Sequence, residues 1–166
     1  MSDLYARGVS TSSMSKTMAL AGLRIGWIHC QDADLLARIN ARRDYHVISE
    51  SALSDALACI AFVHRDAIMA RSRVIADTNR KILREWLRDE PLADCVIPRS
   101  GTVCFLKVNT DMPSAQLCER LQEETGVFFA PGSCFGVEGH VRLGLGIDNA
   151  VMREGLRRFS AWLHRN

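Results

Sequence analysis

The chain has 166 residues, of which 48% are apolar, and a formal net charge of +2. This length and composition suffice for one compact domain, or for a domain and part of a second, with a real hydrophobic core. The 21 basic side chains are interspersed with 19 acidic ones. This balance gives no indication of nucleic acid or of an acidic membrane surface as a partner.

Targeting, membrane and metal signals are weak in this sequence. The N-terminal residues are too polar for a signal peptide, and the longest apolar run, residues 56–63, is far shorter than the roughly 20 residues of a membrane span. The six cysteines lack C-x-x-C and zinc-finger spacings, so we expect reduced, mostly buried thiols. The five histidines show no metal-binding spacing. We therefore predict a soluble, cytoplasmic protein without a metal site.

The first half of the chain alternates short strands with helices. Apolar spacing and capping residues predict, in chain order, a strand end at residues 8–11, a strand at 23–30, a helix at 34–43 capped by Asp32, a buried helix at 51–63 and a long charged helix at 65–88. Ile68, Ile75, Ile82 and Trp86 fall on one face of the long helix, and Pro91 ends it.

The second half is predicted to form an α+β unit. The expected elements are strands at residues 95–98 and 102–108, a helix at 113–125 ended by Gly126, a short strand at 127–130, a strand at 141–145 and a helix at 151–164 capped by Asp148 or Asn149. A shift in composition near residues 89–94 marks a boundary. We therefore divide the chain into residues 1–63, a connecting helix at 64–90 and a C-terminal domain at 91–166.

A lysine between serines, followed at short distance by an arginine, indicates a site for a phosphorylated aldehyde. The amine of Lys16 is suited to a Schiff base with a carbonyl. The hydroxyls of Ser13 and Ser15 and the planar guanidinium of Arg24 are suited to a phosphate. Pyridoxal phosphate (PLP) is the cofactor that fits this set. Because a single such lysine is usually an ordinary surface residue, the prediction depends on the whole constellation.

The reactive amine must lose its proton, which desolvation or a nearby cation favours. The apolar residues Met14, Met18 and Leu20 could desolvate the amine, and Arg24 could supply the nearby cation. Gly22 and Gly26, on either side of the arginine, are interpreted as positions of close backbone approach.

Two segments resemble one enzyme family. Residues 13–26, S-M-S-K-T-M-A-L-A-G-L-R-I-G, are similar at every constrained position to the lysine signature of class I/II PLP-dependent aminotransferases, a fold-type I family. Residues 128–136, F-F-A-P-G-S-C-F-G, followed by V-R-L at 141–143, resemble the C-terminal region of these enzymes. The resemblance implies a combined α/β and α+β fold: a remnant of the PLP-binding large domain, a connecting helix, and a small C-terminal domain with a mostly antiparallel sheet.

The resemblance also implies a role for each matching residue. Lys16 would form the internal aldimine and then move the proton, while Ser13, Ser15 and Arg24 hold the phosphate. Arg142 would bind the α-carboxylate of an amino acid. The implied reaction transfers an amino group from an amino acid to a 2-oxo acid, in an enzyme that forms a homodimer or associates with itself in another way.

Other interpretations stay open. Lyases, cyclases and synthases share the lysine signature, and residues from about 90 to 166 can also be a non-catalytic module. The S-x-x-K pattern at residues 13–16 also occurs in penicillin-binding proteins, but the accompanying S-D-N and K-T-G elements are incomplete. His140 is interpreted as a surface or strand-end histidine in preference to one that lines the substrate pocket. A reactive thiol at Cys134, in the turn before Arg142, stays open, although its neighbours do not establish a lowered pKa.

Members of the resembled family are usually more than twice as long as this chain. Their earlier half supplies the ring that stacks on the cofactor and the acid that pairs with its ring nitrogen. We therefore expect a C-terminal portion that does not transaminate alone and binds PLP weakly or not at all. We also expect an exposed apolar patch that favours self-association. The sequence does not indicate which amino acid is the substrate.

Overall fold

The computed structural model describes residues 2–166. The chain forms two compact units, one of residues up to Ser72 and the other of Arg73–Asn166. The division falls within a long helix that contributes turns to both units. The three-part division by residues 1–63, 64–90 and 91–166 stays a prediction.

The first unit contains a two-stranded antiparallel hairpin and helices. Its elements are β1 (Val9–Ser13), β2 (Gly26–Cys30), α1 (Ala33–Arg43), α2 (Ala52–Val63) and the first turns of α3 (Arg65–Asp89). In the hairpin, Val9 lies opposite Cys30 and Ser13 lies opposite Gly26. The predicted helix cap is confirmed, because the Asp32 carboxylate accepts the backbone N–H of Leu35 at 2.9 Å.

The core of the first unit is small and lies at the loop that joins β1 to β2. Met14, Met18, Ala58 and Ala61 are its buried residues, and Leu20, Leu23, Ile25, Ile68 and Met69 pack against them. Only the alanine side of α2 is therefore covered. The prediction that residues 51–63 form a buried helix is wrong in its burial, since Leu53, Ile60 and Val63 are 56–79% exposed.

The second unit is built on a four-stranded antiparallel sheet. Its elements are the remainder of α3, β3 (Ala93–Asp94), β4 (Val103–Val108), α4 (Ser114–Thr125), β5 (Ala130–Pro131), β6 (His140–Gly144) and α5 (Asn149–Leu163), with sheet order β3-β4-β6-β5. Side chains alternate along β4 and β6, so that Cys104, Leu106, Val141 and Leu143 enter one buried cluster with residues of α3, α4 and α5. The predicted antiparallel sheet is confirmed.

Helix α3 confirms the periodicity read from the sequence. It ends at Asp89, before Pro91. Ile82 is buried, and Trp86 stacks on Phe159 with ring centroids 5.9 Å apart. Within residues 2–166, no helix combines the length and the apolar character needed to cross a membrane.

Two predicted strands lie elsewhere, and local hydrogen bonds explain both shifts. Residues 95–98 do not form a strand, because the Asp94 carboxylate takes the N–H of Cys95 at 2.8 Å and so ends the ladder after β3. The strand predicted at residues 127–130 is the two-residue β5, since the N–H of Val127 turns back to the Thr125 hydroxyl at 3.2 Å.

A buried polar side chain links α3 to the segment between β6 and α5. Asn79 is fully buried, and its Nδ2 donates to the carbonyl oxygens of Leu145 at 3.0 Å and Ile147 at 2.8 Å. Its Oδ1 accepts from Nδ2 of Asn149 at 2.7 Å. Each polar atom of the amide is thus paired, as burial requires.

Candidate functional site

Four of the five predicted site residues lie on one loop, residues 13–26, which closes the β1–β2 hairpin. The N–H of Met14 donates to the Ile25 carbonyl at 3.1 Å and continues the pairing beyond Ser13 and Gly26. The N–H of Leu20 returns to the Met14 carbonyl at 3.0 Å. The lysine and the arginine therefore belong to one hydrogen-bonded loop.

The loop buries its apolar side chains and exposes its charged ones. Met14 is fully buried and Met18 is 6% exposed, whereas Lys16 and Arg24 are exposed. Ser15, beside the lysine, is half-buried. The expectation that the apolar neighbours desolvate the lysine is wrong for this structure, because those methionines pack against α2. Their burial instead anchors the loop.

Two residues of this loop adopt a left-handed backbone conformation. Ala19 and Arg24 each have φ of 57°, and they are the non-glycine residues with positive φ in the described part of the chain. Such conformations cost about 1–3 kcal/mol each and persist only where the surroundings impose them. Here Nη1 of Arg24 donates to the Ala21 carbonyl at 3.1 Å, across a short 3-10 turn.

The two glycines that flank the arginine differ. A Cβ at Gly26 would lie 2.9 Å from the carbonyl oxygen of Ser12, so the strands approach too closely for a side chain. The close approach predicted at this position is confirmed. At Gly22 that prediction is wrong, since no atom from another part of the described chain lies within 4 Å of an added Cβ.

The donor set of the loop suits a phosphate ester with a carbonyl group. Residues 13–26 contain five hydroxyl-bearing or cationic side chains, the four predicted site residues and Thr17, and no acidic residue. A guanidinium and hydroxyls bind phosphate oxygens, while an accessible amine can react with an aldehyde. The residues present therefore fit PLP in their chemistry.

Arg142, the fifth predicted site residue, lies on β6 in the second unit. It is exposed and lies opposite both Phe105 on β4 and Ala130 on β5. Its Cζ atom lies over the ring of Phe135, 5.1 Å from the centroid. The exposed face of the sheet thus presents a guanidinium beside aromatic rings.

The turn before β6 explains the glycines of the second motif. A Cβ at Gly132 would lie 2.1 Å from the Val137 carbonyl oxygen and 2.5 Å from that of His140. Gly136 has φ of 71°, a conformation that favours glycine. Neither position accepts a side chain without strain, so the path of the turn is fixed.

A glutamate that the sequence analysis missed ties this turn to α4. The Glu138 carboxylate accepts the N–H of Ser114 at 2.9 Å, and the N–H of Ser133 donates to the buried Ser114 hydroxyl at 3.0 Å. Hydrogen bonds from the backbone and the side chain of Ser114 to this carboxylate hold the pKa of Glu138 below its ordinary value. The sequence feature that could have indicated a polar contact here is a serine directly after Pro113, at the start of a predicted helix.

His140 is the first residue of β6, as predicted for a strand-end histidine. Its ring stacks on Phe105, with centroids 4.9 Å apart and planes 12° from parallel. Its Nδ1 lies 2.9 Å from the Glu138 carbonyl oxygen. The histidine therefore supports the aromatic cluster beside Arg142.

The six cysteines are free thiols. Three of them, Cys30, Cys104 and Cys118, are buried. Cys59 and Cys134 are exposed, so the expectation of burial is wrong for these two thiols. Burial raises the pKa of the Cys118 thiol to about 11. Within residues 2–166, no group of three or more His, Cys, Asp or Glu side chains could hold a metal ion.

The comparison with protein families identifies the class. The profile of the family "Aminotransferase class I and II" matches residues 3–159. The chain belongs to the aminotransferase class I and II family, and its fold is that of fold-type I PLP enzymes. The resemblance inferred from the lysine loop and the P-G-S-x-F-G turn is thereby confirmed, as is the predicted fold class.

Individual relatives carry several activities in their names. The chain is 33% identical over 155 residues to capreomycidine synthase of Streptomyces vinaceus, and 27% identical over 157 residues to arginine–pyruvate transaminase of Pseudomonas aeruginosa. Each match covers 93% of this chain and 40% of the relative. The chain thus spans about 40% of the length of these curated relatives.

Solved structures agree with this relationship. A PLP-dependent aminotransferase from Streptococcus suis superimposes with a TM-score of 0.95 and 34% identity, over 98% of this chain and 43% of that one. The PLP-dependent cyclase OrfR superimposes with a TM-score of 0.86 and 27% identity, over 95% of this chain and 43% of that one.

Proposed function

We propose that the protein carrying this chain is a PLP-dependent aminotransferase that moves an amino group from an amino acid to a 2-oxo acid. The main support is the loop at residues 13–26, which presents an exposed lysine and an exposed arginine on a buried methionine anchor. Because the chain spans about 40% of its curated relatives, the activity is proposed for the whole protein.

When bound, PLP supplies an aldehyde that condenses with amines and a ring that accepts electrons from the substrate Cα. Ser13, Ser15 and Arg24 would hold its phosphate. An arginine guanidinium presents a planar, charged fork of N–H donors that suits the phosphate dianion. The hydrogen bond from Arg24 to the Ala21 carbonyl fixes one edge of the guanidinium.

Lys16 would carry the proton-transfer step. Its amine, when not bound to the cofactor, would take the proton from the substrate Cα and deliver it to the C4′ carbon of the cofactor. This task requires an accessible amine on a fixed backbone. The exposure of Lys16 and the turn in which the Ala19 N–H donates to the Lys16 carbonyl at 3.1 Å support it.

Arg142 would bind the substrate carboxylate. A guanidinium presents parallel N–H donors that match a carboxylate in a bidentate pair. Its exposed position on β6 supports this role. Arginine and pyruvate are a sensible first substrate pair to assay, given the name of one relative.

Borohydride trapping in the whole protein tests the role of Lys16, and the other two lysines of this chain, Lys81 and Lys107, serve as internal comparisons. Protein incubated with PLP, reduced and digested should carry the phosphopyridoxyl group on the Lys16 peptide. K16A should remove this label and the turnover, whereas K81A, at an exposed position on α3, should retain both. Labelling spread equally over the three lysines would contradict the assignment.

A synthase or cyclase is the second candidate, favoured by the 33% identity to capreomycidine synthase and the similarity to OrfR. The two functions differ in their need for an acceptor. A transaminase given an amino acid alone stops after one equivalent of 2-oxo acid, and pyruvate restores turnover. A cyclase or lyase continues without pyruvate, and this outcome would replace the first proposal.

We also propose self-association and a cytoplasmic location. The support for association is the exposed apolar surface of the first unit, where Trp27 and Phe62 pack together at 5.5 Å while remaining 40% and 41% exposed. Sedimentation velocity over a hundredfold concentration range tests it, since a purely monomeric protein would contradict the proposal. Cell fractionation tests the location.

A further inference from the structure

We propose that Phe135 is a positioning residue that holds the Arg142 guanidinium ready for the substrate carboxylate. This inference deepens the proposed function, because it rests on Arg142 as the carboxylate ligand. Both residues belong to the second unit, where the Arg142 Cζ atom lies over the Phe135 ring, 5.1 Å from its centroid.

The contact is a cation–π pair at a half-exposed site. Phe135 is 47% exposed, and Arg142 is exposed beside it. A ring face attracts a guanidinium within about 6 Å of its centroid, and Arg is the cation that most often uses this contact. The ring provides no hydrogen-bond acceptor. The N–H donors of Arg142 therefore remain free for an anion while the group is held in place.

Phe135 can hold another group because it is itself fixed. It ends the short 3-10 helix Gly132–Phe135, whose course is set by the close backbone contacts of Gly132 and by the positive φ of Gly136. Its ring meets the Phe105 ring edge-on, with centroids 5.8 Å apart and planes 82° apart. Phe105 stacks in turn on His140.

Prior placement of the guanidinium lowers the cost of binding. A free arginine side chain loses rotamer entropy when it engages a carboxylate, and a preorganised one loses less. The effect should appear in the affinity for substrates with a carboxylate and not in the chemical step. An effect on substrate affinity without an effect on the chemical step distinguishes a positioning role from a general structural one.

Steady-state kinetics of the PLP-loaded protein test the inference. F135L keeps an apolar side chain but removes the ring, and we expect it to raise KM for the amino acid about three- to tenfold with kcat changed less than twofold. F135Y, which keeps the ring, should stay within twofold of wild type. F128L is a matched control, since Phe128 is an exposed phenylalanine of the same unit that lines a separate apolar cavity of about 550 Å³.

A spectroscopic measurement reports the contact without turnover. The ring current of Phe135 should shift the Arg142 Hε resonance, which R142K identifies by its loss from an arginine-selective spectrum. In F135L this resonance should move toward the range of the other exposed arginines, and in F135Y it should stay. F128L should leave it unchanged.

The results test the role of Arg142 and the role of Phe135 separately. If R142K leaves KM unchanged, the proposed carboxylate role of Arg142 fails, whatever Phe135 does. If R142K raises KM while F135L matches wild type in KM and in the Hε resonance, the positioning role is overturned. A fall in kcat for F135L without a rise in KM would also overturn it.

Discussion

Ser13 lies directly opposite Gly26 at the closed end of the β1–β2 hairpin. The carbonyl oxygen of Ser12 leaves no room for a side chain at position 26. The lysine loop begins at Ser13 and ends at Gly26. The geometry of the loop therefore depends on a close strand contact at its base.

We expect G26A to destabilise this loop, because the added Cβ would meet the Ser12 carbonyl oxygen at 2.9 Å. The free energy of unfolding should fall by about 1–3 kcal/mol, and the Kd for PLP of the whole protein should rise. Urea denaturation and a PLP titration measure the two effects. G22A is the matched control, since its Cβ meets open space and its effect should stay within about 0.5 kcal/mol. Equal losses in both variants would contradict this explanation.

We expect N79L to destabilise the second unit by about 2–4 kcal/mol. The substitution keeps the volume but leaves the Leu145 carbonyl, a buried acceptor, without its donor. N109L, at an exposed asparagine of the same unit, should change stability by less than about 0.5 kcal/mol. The midpoint of urea unfolding measures both. An unchanged midpoint for N79L would show that the paired amide contributes nothing to stability.

Cys118 should resist alkylation at pH 8. Its pKa is raised to about 11 by burial, and only the thiolate reacts with iodoacetamide. Cys59 and Cys134 are exposed and should be labelled first. Timed labelling followed by peptide mass spectrometry gives the order. Labelling of Cys118 at the rate of the exposed thiols would contradict its burial, whereas addition of urea should remove the difference.

The contribution of Glu154 to stability should disappear in acid. Hydrogen bonds from Arg157 and Arg158 lower the pKa of this carboxyl to about 2 in the folded chain. The unfolded chain therefore binds the proton more tightly, so the contribution is complete above the ordinary pKa of about 4.3 and is lost as the pH falls toward 2. The difference in unfolding free energy between wild type and E154Q should shrink over this window. A difference that does not vary with pH would contradict the linkage, and E119Q on α4 is the matched exposed control.

Helix boundaries were largely predictable, because caps and periodicity act between neighbours. Asp32 caps α1 through a residue three positions along the chain, and Gly126 ends α4 with φ of 73°. The strands at residues 95–98 and 127–130 were not predictable in the same way. A side-chain hydrogen bond at Asp94 and another at Thr125 decided where each ladder begins or ends.

The sequence indicated candidate residues for the site but not how the surrounding elements pack. The loop sequence indicated Lys16 and Arg24, and the structure places both on one hydrogen-bonded hairpin end. From the sequence, close backbone approach was predicted at both Gly22 and Gly26, although only Gly26 faces a neighbouring strand. Helix α2 was likewise predicted to be buried, because its apolar content does not reveal how many of its faces pack against other elements.

The sequence by itself determined the lysine loop, the glycine turn before Arg142 and the family to which they belong, since these depend on residue type at short spacing. Only the tertiary structure decided that Phe135 lies against Arg142, that Glu138 holds the start of α4, and that Asn79 is buried with every polar atom paired. The physical reason is that the last two contacts join residues far apart in the chain, and all three depend on how strands and helices pack.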